Sequence, residues 1–90
     1  MSEVRRQVLI TNRRGLHARA SAKFVTLASG LDTELTVEKD GSKVTGTSIM
    51  GLMMLGAAKG DTIVISAEGA GAESAVATMC QLVEERFGED

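Results

Sequence analysis

The apolar residues of this chain alternate between two spacings, and the order in which the spacings follow one another leaves few folds open. Val8 and Ile10 lie two apart within residues 4–11, a stretch rich in β-branched side chains, which predicts a strand with one buried face ending near Asn12. From Ala18 to Ser29 the period lengthens. Ser21, Phe24, Val25 and Ala28 fall at i, i+3, i+4 and i+7, one stripe of a helix that Gly30 stops. Leu35 and Val37 then alternate with Glu34, Thr36 and Glu38, and Asp40-Gly41 supplies the pair favoured in a two-residue primed turn before Lys43 and Val44. That is a hairpin. Ser48 opens a short apolar segment in which Leu52 and Leu55 point inward, closed by Gly56 and followed by a turn at Gly60-Asp61. Residues 62–67 alternate again, with Ile63 and Ile65 on one face, until Glu68-Gly-Ala-Gly breaks the strand. From Ala72, the residues Ala75, Val76, Met79, Leu82, Val83 and Phe87 trace a last helical stripe to near the C-terminus.

The resulting order is β-α-β-β-α-β-α, with short connections, no proline and no internal repeat. Ninety residues suffice for one modest core, so residues 1–90 are expected to form a single domain. Four strands with one apolar face need a cover, which three amphipathic helices on that face provide. The expected fold class is α+β, an open-faced β-sandwich with a four-stranded antiparallel sheet.

Composition narrows the function. The formal net charge of -2 gives no overall attraction for polyanions, so any anion binding must be local. Five arginines (Arg5, Arg6, Arg13, Arg14 and Arg19) fall in the first twenty residues, whereas Glu73, Glu84, Glu85, Glu89 and Asp90 crowd the last twenty. The order β-α-β-β-α-β also describes RNA-recognition domains. Two phenylalanines, no tyrosine or tryptophan and a negative charge remove the stacking platform such a sheet needs, so no nucleic-acid partner is expected. The single cysteine, Cys80, falls on the apolar side of the last helix and suits a reducing compartment. No signal peptide and no apolar run of membrane-spanning length is found, and a cytoplasmic protein without membrane insertion is expected.

The one histidine, His17, sits where the first helix begins, inside Asn12-Arg-Arg-Gly-Leu-His-Ala-Arg. There it is either a partly exposed capping residue or part of an anion site. In the second case the unpaired amides of Ala18 and Arg19, the helix dipole and the Arg19 guanidinium would hold a dianion on the ring. Gly15 lets the backbone turn just before it. No second histidine, nearby cysteine or paired carboxylate accompanies His17, so hydrolytic constellations have no candidates and no metal or cofactor is expected.

Two stretches decide between these readings. Residues 15–25, GLHARASAKFV, resemble the active-site motif of the HPr family, the histidine phosphocarriers of the bacterial phosphoenolpyruvate phosphotransferase system. Residues 47–69, TSIMGLMMLGAAKGDTIVISAEG, resemble that family's regulatory-serine segment and last strand, at the expected separation. The resemblance implies a stoichiometric carrier rather than an enzyme. His17 would take a phosphoryl group on Nδ1 from phosphorylated enzyme I and pass it to an enzyme IIA domain, with Arg19 stabilising the phosphohistidine. The receiving chain would serve sugar uptake or a nitrogen-related regulatory branch. One departure is Ala20, where the family commonly has proline; alanine is a strong helix former, so the helix should begin in the same place.

Ser48 on its own residues is a helix N-cap. The resemblance adds a regulatory reading, phosphorylation by an ATP-dependent HPr serine kinase/phosphorylase, and with it a binding module controlled through Ser48 alone; the presence of both His17 and Arg19 argues against that last form. Ile49, Met50, Met53 and Met54 share the remaining faces of the short helix, either as core filling or as an exposed patch. By resemblance, Ile49, Met50 and Met53 match the apolar patch that docks enzyme I and enzyme IIA. Thr26, Ser29 and Gly51 stand at rim positions where the family often has lysine, and Arg13, Arg14 and Lys23 could compensate. A small relay protein of this kind is expected to be a monomer.

Overall fold

The structure, a computed structural model, describes residues 3–89. Four strands, β1 (Glu3–Leu9), β2 (Thr36–Lys39), β3 (Ser42–Thr45) and β4 (Thr62–Glu68), form one antiparallel sheet in the order β1-β4-β2-β3. Helices α1 (Ala18–Ser29), α2 (Ile49–Met54) and α3 (Ala72–Glu84) cover one face, and the other face is open. The expected open-faced sandwich is the fold observed.

The period-two residues do what their spacing requires. Ile63 and Ile65 of the central strand β4 stand opposite Val8 and Arg6 of β1, and Ile65 also meets Val37 of β2. Val8, Val37, Ile63 and Ile65 are buried beneath the helices. On the open face Arg5 and Glu38 approach to 3.6 Å across the sheet, a solvent-exposed pair of small energetic weight. The hairpin turn is of the primed type, with Asp40 at φ 52 and Gly41 at φ 86, as the Asp-Gly pair dictates.

The helices differ from expectation in two places. The buried stripe of α1 is Ala20, Ser21, Phe24 and Ala28, while Val25 is only half-buried. Three of the four expected residues hold, and Ala20, at the crowded start of the helix, takes the fully buried place in preference to Val25. At the other end α3 stops at Glu84, although the apolar stripe runs on to Phe87. Phe87 is buried, but it reaches the core from a 3₁₀ turn over Arg86–Gly88 in which φ is positive at each residue. Sequence periodicity sees a buried aromatic at helical spacing; it does not see that the backbone has reversed its hand to put it there. Cys80 lies in the core, where burial pushes its thiol pKa up.

Three backbone hydrogen bonds join the segment after β1 to the segment before β4. Ile10 N–H donates to Asp61 O at 2.8 Å, Gly60 N–H to Ile10 O at 2.8 Å and Leu16 N–H to Ala57 O at 2.9 Å. Gly15 makes the last of these possible. Its φ is 63, and a Cβ there would fall on the Ala57 carbonyl. Gly15→Ala should therefore lose stability on two counts, a left-handed backbone and a steric overlap, together about 3 kcal/mol. Urea unfolding checks this, and a change below about 0.5 kcal/mol would show that the loop yields without strain.

Candidate functional site

The loop between β1 and α1 brings Asn12, Arg13, Arg14 and His17 to one end of the molecule. His17 occupies the N-cap position of α1 with extended backbone (φ -74, ψ -179), but its ring caps nothing. Ser21 N–H donates to His17 O at 2.9 Å, and at the positive end of the dipole the amides of Ala18 and Arg19 have no partner among the described residues. The ring instead turns to the C-terminal tail, where Nε2 lies 2.8 Å from Glu89 Oε2. The His17 and Glu89 side chains are 20% and 16% exposed, so water screens this contact only partly.

Glu89 is held from a second side. Asn12 is wholly buried and uses its amide nitrogen twice, donating to Gly15 O at 2.8 Å and to Glu89 Oε1 at 3.2 Å. Asn12 Oδ1 has no partner among the described residues. Desolvation pushes the Glu89 carboxyl pKa up, but the bonds from Asn12 and His17 and the charges of His17 and Arg19 outweigh it, and the group ends below its ordinary value. An ionised carboxylate only accepts, so the proton between it and the ring belongs to Nε2. In the neutral ring Nδ1 is then the nitrogen with the free lone pair.

Arg13, Arg14, Arg19 and Lys23 line a cleft of about 370 Å³ together with Gly88 and Glu89. Among the described residues the Arg19 guanidinium has no ion-pair partner. Lys23 Nζ donates to Phe87 O at 2.7 Å, which ties α1 to the tail. An imidazole at a helix N-terminus, beside a free guanidinium and further cations, can carry a dianion on Nδ1. No three His, Cys, Asp or Glu side chains converge to hold a metal ion among the described residues, and no helix there is long and apolar enough to cross a membrane.

Ser48 caps α2, its Oγ accepting from Gly51 N–H at 2.9 Å. Leu52 and Leu55 point inward as expected, and the methionines do not fill the core. Ile49, Met50 and Met53 are 40%, 70% and 41% exposed, and Met54, absent from the expected patch, is 79% exposed. Four adjoining apolar side chains on one six-residue helix form an exposed apolar patch. At the rim, Thr26 and Ser29 are exposed. Gly51 is not an open rim position, because a Cβ there would lie 3.0 Å from both Ser48 Oγ and Val44 Cβ.

The structure thus places His17, Ala18 and Arg19 together, Ser48 at the N-cap of α2, and Ile49, Met50 and Met53 on α2, with α1 and α2 in contact. Neither Asn12 nor Glu89 is marked as a site residue by the sequence pattern. A polar residue after a strand looks like a turn former, and no spacing rule links a residue to one 72 positions away.

The chain matches the family model described as the PTS HPr component phosphorylation site over residues 4–85. It is 45% identical over 86 residues to the phosphocarrier protein HPr of Neisseria meningitidis, covering 96% of this chain and 97% of that protein. It is 40% identical over 89 residues to the phosphocarrier protein NPr of Shewanella violacea, covering 99% and 98%. A crystal structure of HPr-C-His from Thermoanaerobacter tengcongensis superposes with a TM-score of 0.88 at 44% identity, covering 100% of this chain and 99% of that one.

Acid should release the contacts of Glu89. Because the Glu89 pKa is lowered, the stability that its contacts lend is fully present above the ordinary carboxylate range and is lost as pH falls through the lowered value. Carboxyl carbon chemical shifts of Glu89 followed by NMR should titrate below those of the exposed glutamates. A midpoint equal to theirs would show that the Asn12 and His17 bonds are not kept in solution.

Proposed function

Because the chain belongs to the HPr family of phosphocarrier proteins, we propose that His17 is its phosphate acceptor, loaded by phosphorylated enzyme I and unloaded by an enzyme IIA domain. The observation that carries this is the state of the ring. Nε2 is engaged by Glu89, and Nδ1 is left as the nucleophilic nitrogen at the start of α1. On loading, the Nδ1 lone pair forms a bond to phosphorus as the donor's bond to phosphorus breaks. On unloading the same exchange runs toward the acceptor. The free amides of Ala18 and Arg19 and the Arg19 guanidinium neutralise the transferred group, and positioning with charge neutralisation is most of what such a transfer needs. The protein carries the group stoichiometrically and catalyses no reaction of its own.

The apolar surface of Ile49, Met50 and Met53, extended by Met54, is the docking site for both partners. Methionine side chains adapt to more than one surface, which suits a relay that must leave one protein and join another. Arg13, Arg14 and Lys23 supply the cationic rim that Thr26 and Ser29 lack. The carrier works as a cytoplasmic monomer, in a sugar-uptake chain or in the nitrogen-related branch. Ser48 is a second acceptor, for a serine kinase/phosphorylase. A phosphate on its Oγ would set about two negative charges beside the methionine surface and weaken docking there.

Incubation with phosphoenolpyruvate and enzyme I should add one acid-labile phosphate, absent from His17→Ala; a labelled His17→Ala protein overturns the assignment. In the same mass spectra, kinase and ATP should add one acid-stable phosphate absent from Ser48→Ala. Offering the loaded protein to enzyme IIA domains of both branches identifies the acceptor. Met53→Glu should raise the KM of enzyme I for this protein about tenfold or more while kcat is unchanged, since it removes binding common to ground and transition states. An unaltered KM would place docking elsewhere.

A further inference from the structure

The C-terminal tail after α3 is a built part of the site. In that tail Arg86, Phe87 and Gly88 take φ values of 58, 55 and 75 in succession. Two of these are non-glycine residues in a conformation that crowds Cβ against the following carbonyl, and such a turn persists only where its surroundings over-determine it. The surroundings do so here. The Phe87 ring is wholly buried, and Lys23 Nζ holds the Phe87 carbonyl at 2.7 Å. The reversed turn delivers Glu89 to a two-sided seat, with Oε1 on Asn12 Nδ2 and Oε2 on His17 Nε2. Asn12 is aimed in turn by its bond to Gly15 O.

We propose that Glu89, carried by this left-handed C-terminal turn and aimed by Asn12, is a positioning residue that keeps a proton on His17 Nε2 through the whole transfer cycle. The inference rests on the phosphocarrier reading of His17. On loading, the Nδ1 lone pair enters the new bond to phosphorus and the ring becomes a phosphorylated imidazolium whose Nε2 proton stays in place. On unloading, the electron pair of the Nδ1–P bond returns to Nδ1. The leaving group is then a neutral imidazole and not an imidazolate anion. No proton is taken up or released in either direction. Every other charged group lining the cleft, Arg13, Arg14, Arg19 and Lys23, attracts the phosphoryl group but opposes a cationic ring. Among the described residues Glu89 is the one carboxylate lining it, and it balances the ring charge from the side away from phosphorus.

The test uses the full-length protein with Glu89→Gln, Glu89→Ala and Glu89→Asp, and thermal unfolding establishes that each is folded. The ¹⁵N-labelled histidine ring is followed by NMR before and after loading by enzyme I and phosphoenolpyruvate. In the parent protein the Nε2 proton should exchange slowly with water, and the phosphorylated ring should lose it at a pH about one unit or more above that for the Gln and Ala variants. Phosphoryl transfer to an enzyme IIA above that pH should fall about tenfold in those two variants with KM unchanged, and Asp should restore part of it. Loaded variants whose Nε2 proton titrates as in the parent, with equal transfer rates, overturn the proposal and leave the carrier reading standing. A parent protein that takes no phosphate overturns the carrier reading itself and this inference with it.

Discussion

The close approach of Gly15 to Ala57 is the constraint on which the rest of the site depends. Only a residue without a side chain can place its Cα against that carbonyl at positive φ, and the Leu16–Ala57 hydrogen bond follows at once. Leu16 and Ala57 are both buried, so the junction is dry and the bond is correspondingly firm. The two neighbouring bonds between Ile10 and residues 60 and 61 prolong the β1–β4 ladder toward the same place. The histidine loop and the exit of the methionine helix are therefore one rigid piece, although they are far apart in the chain.

That piece carries a charge pattern unlike the whole molecule. The net charge of the protein is -2, yet among the described residues four cations and a single carboxylate line the cleft beside His17. Such a cleft attracts an anionic group locally although the molecule as a whole gives polyanions no overall attraction. The exposed methionine surface on α2 is apolar and uncharged, so it would add affinity for a partner without adding charge. A carrier needs both qualities: enough binding to hold a partner during transfer, and little enough to let it go.

The C-terminal tail shows the core acting on the site. Phe87 is an ordinary buried aromatic by its energetics, and its removal would cost about 3–5 kcal/mol of packing. It also fixes the left-handed turn that brings Glu89 to His17 and offers its carbonyl to Lys23. Stability and site geometry meet in one side chain. The unsatisfied Asn12 Oδ1 belongs to the same set of compromises, because the amide nitrogen of Asn12 is spent on Gly15 and Glu89 while its oxygen faces no donor among the described residues.

Local physics was enough for much of this protein. Period-two spacing marked Val8, Val37, Ile63 and Ile65 as the inner face of the sheet, Asp40-Gly41 called for a primed turn, Ser48 for a cap, and each is found so. His17 and Arg19 were legible as neighbours because both lie in one short stretch at a helix start. Other features depend on which distant segments meet. The burial of Ala20 in preference to Val25, the reversal of the backbone at Arg86–Gly88 and the seating of Glu89 on Asn12 and His17 are all decided by packing between elements. The physical reason is the same in each case. Spacing along the chain reports which face of a strand or helix is apolar, whereas the partner of a polar group is selected only when the closed core has fixed every element in place.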